Sequence, residues 1–240
     1  MIIIVTGDPD EVLKRIDEAI GEQSTDGPAV MKFSMTDESV LNLTKAAFEA
    51  ILGAGTGVEV VSGDSTMSLS EDVLGTLSGK EDVSIEFRGS AADRMNAAQR
   101  DAAGPDATVV ELRICSGGES LGNSLNGTLS VTVKHEAAEG KIPVAYYIDE
   151  QGGKQDMHGT YDAAKGEMSF VTTHCSIYAV VDEAPASSDA DDAPSGEDDG
   201  PAGEGGSDNT MLYIGAAIAA VVLIAVAAVL ISRRSRTTFP

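Results

Sequence analysis

The sequence predicts an α+β protein. Its first half mixes strands and helices, its second half is antiparallel and β-sandwich-like, and a disordered linker then leads to one transmembrane helix. Three observations carry this reading. Residues 1–95 alternate short apolar runs with capped amphipathic stretches. Residues 96–182 hold short runs in which apolar and polar residues alternate. Residues 211–231 are twenty-one consecutive residues without a charge.

In the first half, Ile2 to Thr6 is an apolar run with strand character. Asp8, Pro9 and Glu11 then form a helix start: a capping carboxylate, a proline where its missing N–H costs nothing, and an acid in the first turn. Val12, Ile16, Ala19 and Ile20 follow on one helical face. Val30 to Ser34 is a second strand. Val40 to Leu52 is predicted as a second amphipathic helix with Leu41, Ala47, Phe48, Ile51 and Leu52, which places Asn42 on a helix. Gly53, Gly55 and Gly57 come after that helix and before a strand. A phosphate-cradling loop needs the opposite order, so these glycines read as a helix C-cap. Val58 to Val61 and Thr66 to Leu69 flank Ser62-Gly63-Asp64 as a hairpin. Ser70 caps a short helix to Leu77, and Val83 to Phe87 returns as a strand.

In the second half, Thr108 to Cys115 places Val110, Leu112 and Ile114 on one face and Glu111 and Arg113 on the other. Leu129, Val131 and Val133 alternate with Ser130, Thr132 and Lys134. Val144 to Ile148, Met168 to Val171 and Ile177 to Val181 complete a set of short strands. Asp149 to Gly153 and Asp162 to Gly166 are turns, since Asp bonds its own following backbone and Gly accepts a positive φ. Strands at this spacing suit an antiparallel sandwich.

Residues 183–210 are predicted as an acidic, disordered tether. Ten acidic residues and no base lie between Asp182 and Thr210, with no aromatic side chain, so little apolar surface can offset the entropy of ordering. Residues 211–232 are predicted as the transmembrane helix, because a bilayer core of about 30 Å needs roughly 20 apolar residues in a helix. Its ends are Met211 and Ile231. Arg233, Arg234 and Arg236 in the tail 233–240 favour a cytoplasmic C-terminus, which puts the folded part outside a cell membrane. Met1 to Gly7 reads as a strand and not as an export signal. The expectation is that the chain is the C-terminal part of a longer precursor, or that its start lies upstream. A tail-anchored protein with a cytosolic domain is the rival reading, and it would put the arginines on the wrong face.

The formal net charge of -23 opposes binding of phosphate backbones, so no nucleic-acid partner is expected. The partners expected are the lipid bilayer, through the C-terminal helix, and other envelope proteins or surface polymers. No cofactor is expected. His135, His158 and His174 match no zinc spacing, and Asp149 to Asp156 lacks the regular oxygen ligands of a calcium loop. A carbohydrate-binding ectodomain is disfavoured because the chain has no tryptophan and few aromatics for stacking.

The second half resembles a β-rich module of large bacterial and archaeal cell-surface proteins, found beside S-layer-type or adhesive repeats. The segments carrying the resemblance are NAAQRDAAG (96–104), ELRICSGGESLGN (111–123), LSVTVKHEAAEGKIPVAYYIDEQGGKQ (129–155) and YDAAKGEMSFVTTHCSIYAVV (161–181). The resemblance implies an extracellular, mostly β module of an envelope protein without assigned chemistry; together with the apolar C-terminal run, the expectation is a membrane-anchored structural or adhesive module without catalytic activity. Two departures from the family pattern are Cys115 and Cys175, the chain's two cysteines. Outside the cell an even cysteine count favours a Cys115–Cys175 disulfide, and two separate buried thiols are the alternative.

His174-Cys175-Ser176 also resembles the self-cleaving turn of autoproteolytic β domains of adhesion receptors. Carried over, His174 would be the base and Ser176 the nucleophile, with scission between Cys175 and Ser176. A buried histidine bonded to a neighbouring turn is the reading preferred here. Asn126-Gly127-Thr128 and Asn42-Leu43-Thr44 are N-glycosylation acceptors, with Asn126 the more accessible.

Overall fold

The computed structural model describes residues 2–4, 8–22 and 30–185. The 186–210 stretch, the span from Met211 to Ile231 and the arginines after it lie outside the described residues.

The elements of the first half are β1 (Ile2–Ile4), α1 (Pro9–Gly21), β2 (Val30–Met35), β3 (Leu41–Leu43), α2 (Lys45–Gly53), β4 (Gly57–Ser62), β5 (Ser65–Leu69), α3 (Glu71–Ser78) and β6 (Val83–Arg88). A 3-10 turn at Ala92–Arg94 and α4 (Ala97–Ala103) lead to β7 (Thr108–Ser116) and β8 (Glu119–Ser120). There follow β9 (Leu129–Lys134), β10 (Ile142–Ile148), β11 (Lys154–Asp156), β12 (Thr160–Asp162), β13 (Glu167–Thr172) and β14 (Ile177–Glu183).

Local chemistry accounts for the helix starts. The Asp8 carboxylate accepts from the Asp10 amide at 3.0 Å, and Val12, Ile16 and Ala19 on α1 are buried. Ser70 caps α3 in the same manner. The second helix begins at Lys45, not at Val40. Thr44 is its cap: extended at ψ 163, it accepts from the Ala47 amide at 3.3 Å. A capping residue has non-helical backbone, so the chain before it is free to be a strand. Leu41 and Leu43 are accordingly buried on β3, paired with Ile85 and Val83. Asn42 therefore stands on a strand opposite Ser84, which corrects the helical placement. Gly55, at φ 63, ends this region in the left-handed conformation that glycine tolerates. The helix α4 starts with a reciprocal capping box between Asn96 and Gln99.

Two sheets result. The first runs β1-β2-β4-β5-β9-β13-β12, with β1, β2 and β4 parallel and the remaining pairs antiparallel. The parallel strands are joined through α1 and α2, as parallel neighbours need crossovers. The second sheet runs β11-β10-β14-β7-β6-β3, antiparallel throughout, with β8 folded back on β7. The mixed α+β class is therefore present. Both sheets cross the boundary expected at residue 95: β5 pairs with β9, and β6 pairs with β7. The segments 1–95 and 96–182 thus belong to one compact unit, Met1–Ser187.

One apolar core unites helices and sheets. Ile16, Phe48 and Leu77 of the helices meet Phe33 and Val131 of the first sheet and Phe87 and Tyr178 of the second. Each such side chain contributes roughly 1.5–3 kcal/mol on full burial. A smaller cluster of Ala91, Met95, Ala103, Val109, Ile148 and Ala179 covers the other face of the second sheet. Alternation explains the split: Val110 and Tyr178 face the large core, whereas their neighbours Val109 and Ala179 face α4. Gly89 follows β6 because a side chain there would meet the Ser62 carbonyl at 2.5 Å.

The last strand runs to Glu183, one residue into the expected tether. Glu183 accepts the Tyr146 hydroxyl at 2.7 Å, which holds it in the folded unit. Among the described residues no helix is long and apolar enough to cross a membrane.

Candidate functional site

The connection from β13 to β14 carries His174, Cys175 and Ser176. Its centre is the hydroxyl of buried Tyr178, which lies 2.6 Å from Thr172 Oγ1, 2.7 Å from the His174 carbonyl and 3.1 Å from His174 Nδ1. A phenol has one proton, so it donates to one of these at a time and accepts from another. The His174 amide donates to Thr172 Oγ1 at 3.2 Å, closing the turn on itself. Tyr147 packs edge-on against the His174 ring with centroids 4.9 Å apart. Burial holds the Tyr178 phenol well above its ordinary pKa, so it stays neutral.

Ser176 is tied differently. Its carbonyl accepts from the Leu112 amide at 2.9 Å. Among the described residues, no hydrogen bond joins His174 to Ser176, and the non-glycine residues with positive φ are Asp82 and His158. The geometry therefore brings His174 to Tyr178 and not to the serine hydroxyl.

Both cysteines are free thiols in the structure, Cys115 buried on β7 and Cys175 partly buried. They are neighbours through the β7–β8 hairpin: the Cys175 amide donates to the Gly122 carbonyl at 3.0 Å, and Cys115 pairs with Ser120. The Arg113 guanidinium bonds the Cys115 sulfur, which raises the arginine pKa further. The Cys175 thiol is pushed up to about 12, chiefly by burial; a backbone bond from Ile114 counters this in part, and nearby Cys115 adds to it. Arg94, Glu111, Arg113, Ser120, Cys175 and Ser176 line an open cleft of about 370 Å³ on this side.

The remaining candidates lie apart. Asn126 is exposed in the bend before β9, whereas Asn42 is half-buried on edge strand β3. His158 is on the surface, 3.5 Å from Asp156. Among the described residues no cluster of His, Cys, Asp or Glu could hold a metal ion.

The structure assembles one further constellation that sequence reasoning missed. Buried His135 follows β9 and is held at both ring nitrogens: Nδ1 is 2.9 Å from Thr108 Oγ1, and Nε2 is 2.9 Å from Asp182 Oδ1. Asp182 Oδ2 accepts from the Ala138 amide at 2.8 Å, and the His135 carbonyl accepts the Tyr161 hydroxyl at 3.0 Å. Burial pushes the Asp182 carboxyl up, but the bonds from His135 and Ala138 outweigh it, and the group sits below the usual carboxylate range. A hydroxyl, an imidazole and a carboxylate in a row are the parts of a nucleophilic relay. Here the imidazole side chain is only 4% exposed, and the row braces the start of β7, the end of β9 and the end of β14. A signal for it was present. His135 continues the inward-facing series Leu129, Val131, Val133, so its ring had to enter the interior with partners.

A scan against protein-family models finds no match for this chain, and no curated protein sequence matches it.

Proposed function

We propose that this chain is a membrane-anchored, extracellular structural or adhesive module of the cell envelope, without catalytic activity. The observation that carries this reading is the uncharged run from Met211 to Ile231, followed at once by Arg233, Arg234 and Arg236. The acidic residues 186–210 then act as a spacer between bilayer and domain, since like charges keep such a linker extended. Support for a non-catalytic role comes from the two inward histidines, whose ring nitrogens bond to Tyr178, Thr108 and Asp182 within the fold. The module's partners are then the bilayer and other envelope proteins or surface polymers.

Alkaline carbonate extraction of membranes tests the anchor. The full chain is expected to remain in the pellet, and a chain ending at Thr210 to leave it. Extraction of the full chain into the supernatant would overturn the proposal.

A further inference from the structure

The segment at Cys175 is laced to the β7–β8 hairpin by two backbone bonds, and a third closes the hairpin on itself. Leu112 N–H donates to the Ser176 carbonyl at 2.9 Å, Cys175 N–H to Gly122 at 3.0 Å, and Leu121 N–H to Ile114 at 2.8 Å. These bonds hold Cys175 beside the 112–115 stretch, with a backbone bond from Ile114 reaching the Cys175 side chain. Ile114 directly precedes Cys115, whose own sulfur is bonded by the Arg113 guanidinium. Cys175 and Arg113 also line the same open cleft, which gives a small reagent a route to the Cys175 sulfur.

We propose that Cys115 and Cys175 are an oxidisable pair, closed to a disulfide by exchange with a small-molecule disulfide, which staples the His174 turn to β7. Exchange runs through a thiolate, and the cleft brings the reagent to Cys175. The Cys175 thiol loses its proton to water, and its sulfur attacks the reagent R–S–S–R, forming a mixed disulfide and releasing R–S⁻. The Cys115 thiol loses its proton to water and attacks the Cys175 sulfur, expelling the second R–S⁻. In sum, two protein thiols and one R–S–S–R give one protein disulfide and two R–SH. Burial keeps the Cys175 thiolate scarce, with its pKa up at about 12, so the first attack limits the rate. The inference goes beyond the membrane reading, and its test in vitro does not depend on where the chain resides.

The test incubates the purified full chain in detergent with oxidised glutathione at mildly alkaline pH until the products stop changing. It then adds a maleimide under denaturation and measures intact mass. The expected product has lost two hydrogens, carries no maleimide and no glutathione, and runs as a monomer. Its rate of formation climbs about tenfold per pH unit through the neutral range, as the Cys175 thiolate fraction does. Closing a loop of about 60 residues raises the melting temperature by about 10 °C. Two maleimide adducts, a persistent glutathione adduct or an intermolecular dimer at equilibrium would overturn the proposal.

Discussion

His135 and His174 stand at opposite ends of the same strand pair. The β9–β13 ladder pairs Lys134 with Glu167 at one end and Leu129 with Thr172 at the other, and one histidine follows each strand. Both rings then reach across to β14, the long strand of the second sheet: His135 to Asp182 near its end, His174 to Tyr178 near its start. Two copies of one residue thus lash the sheets together at both ends. Their chemistry differs. The His135 end uses a carboxylate, so its strength depends on charge and pH. The His174 end uses neutral hydroxyls buried in the core, so its strength depends on packing.

Mutation at the packed end should have the largest effect. Tyr178→Ala should cost about 4 kcal/mol, by loss of a fully buried aromatic and of the hydroxyl that Thr172 and His174 share. Tyr178→Phe keeps the ring and should cost about 1 kcal/mol, the worth of an unmade buried bond. Urea denaturation of the two variants separates packing from hydrogen bonding. At the charged end, His135→Ala should cost about 2 kcal/mol, because Thr108 and Asp182 both lose their partner.

Asp182→Asn sharpens the contrast through pH. The folded carboxyl titrates below its ordinary value, so its contribution is fully present above about pH 4 and is lost as pH falls through the folded pKa. The wild-type chain should therefore lose stability on that acid limb, and Asp182→Asn should flatten the limb. Tyr178→Phe should leave it unchanged. The smallest effect belongs to Ser176→Ala, whose backbone bond to Leu112 survives the change. It should shift the urea midpoint by no more than about 0.5 kcal/mol equivalent. Intact mass should stay at the full-length value with or without the serine.

What the sequence disclosed followed the range of the forces involved. Local chemistry was legible. Asp8 with Pro9 marked α1, Ser70 marked α3, and Leu129-Val131-Val133 marked β9 because each signal is written within a few residues. Val40 to Leu52 reads as one helix because Leu41 and Leu43 suit a helix or a strand equally, and Thr44, the cap that decides between them, lies inside the helical pattern. The sharing of both sheets by the two halves rests on β5–β9 and β6–β7 pairing, and β5–β9 spans about 60 residues that no local pattern reports. His174 was legible as a turn-bonding histidine, though not its partner Tyr178. The His135 brace was not legible because Asp182, between the expected strand Ile177 to Val181 and the expected tether, carries no local sign of its partner; β14 runs on to Glu183 and brings the carboxylate to the imidazole.

Protease shaving of intact cells tests whether the folded unit is anchored on the outer face, with one tag before the folded unit and another after Pro240. Cleavage within the acidic stretch 186–210 should release the folded unit to the medium while the C-terminal tag stays with the cell. A folded unit protected until the cells are lysed would contradict an anchored domain on the outer face.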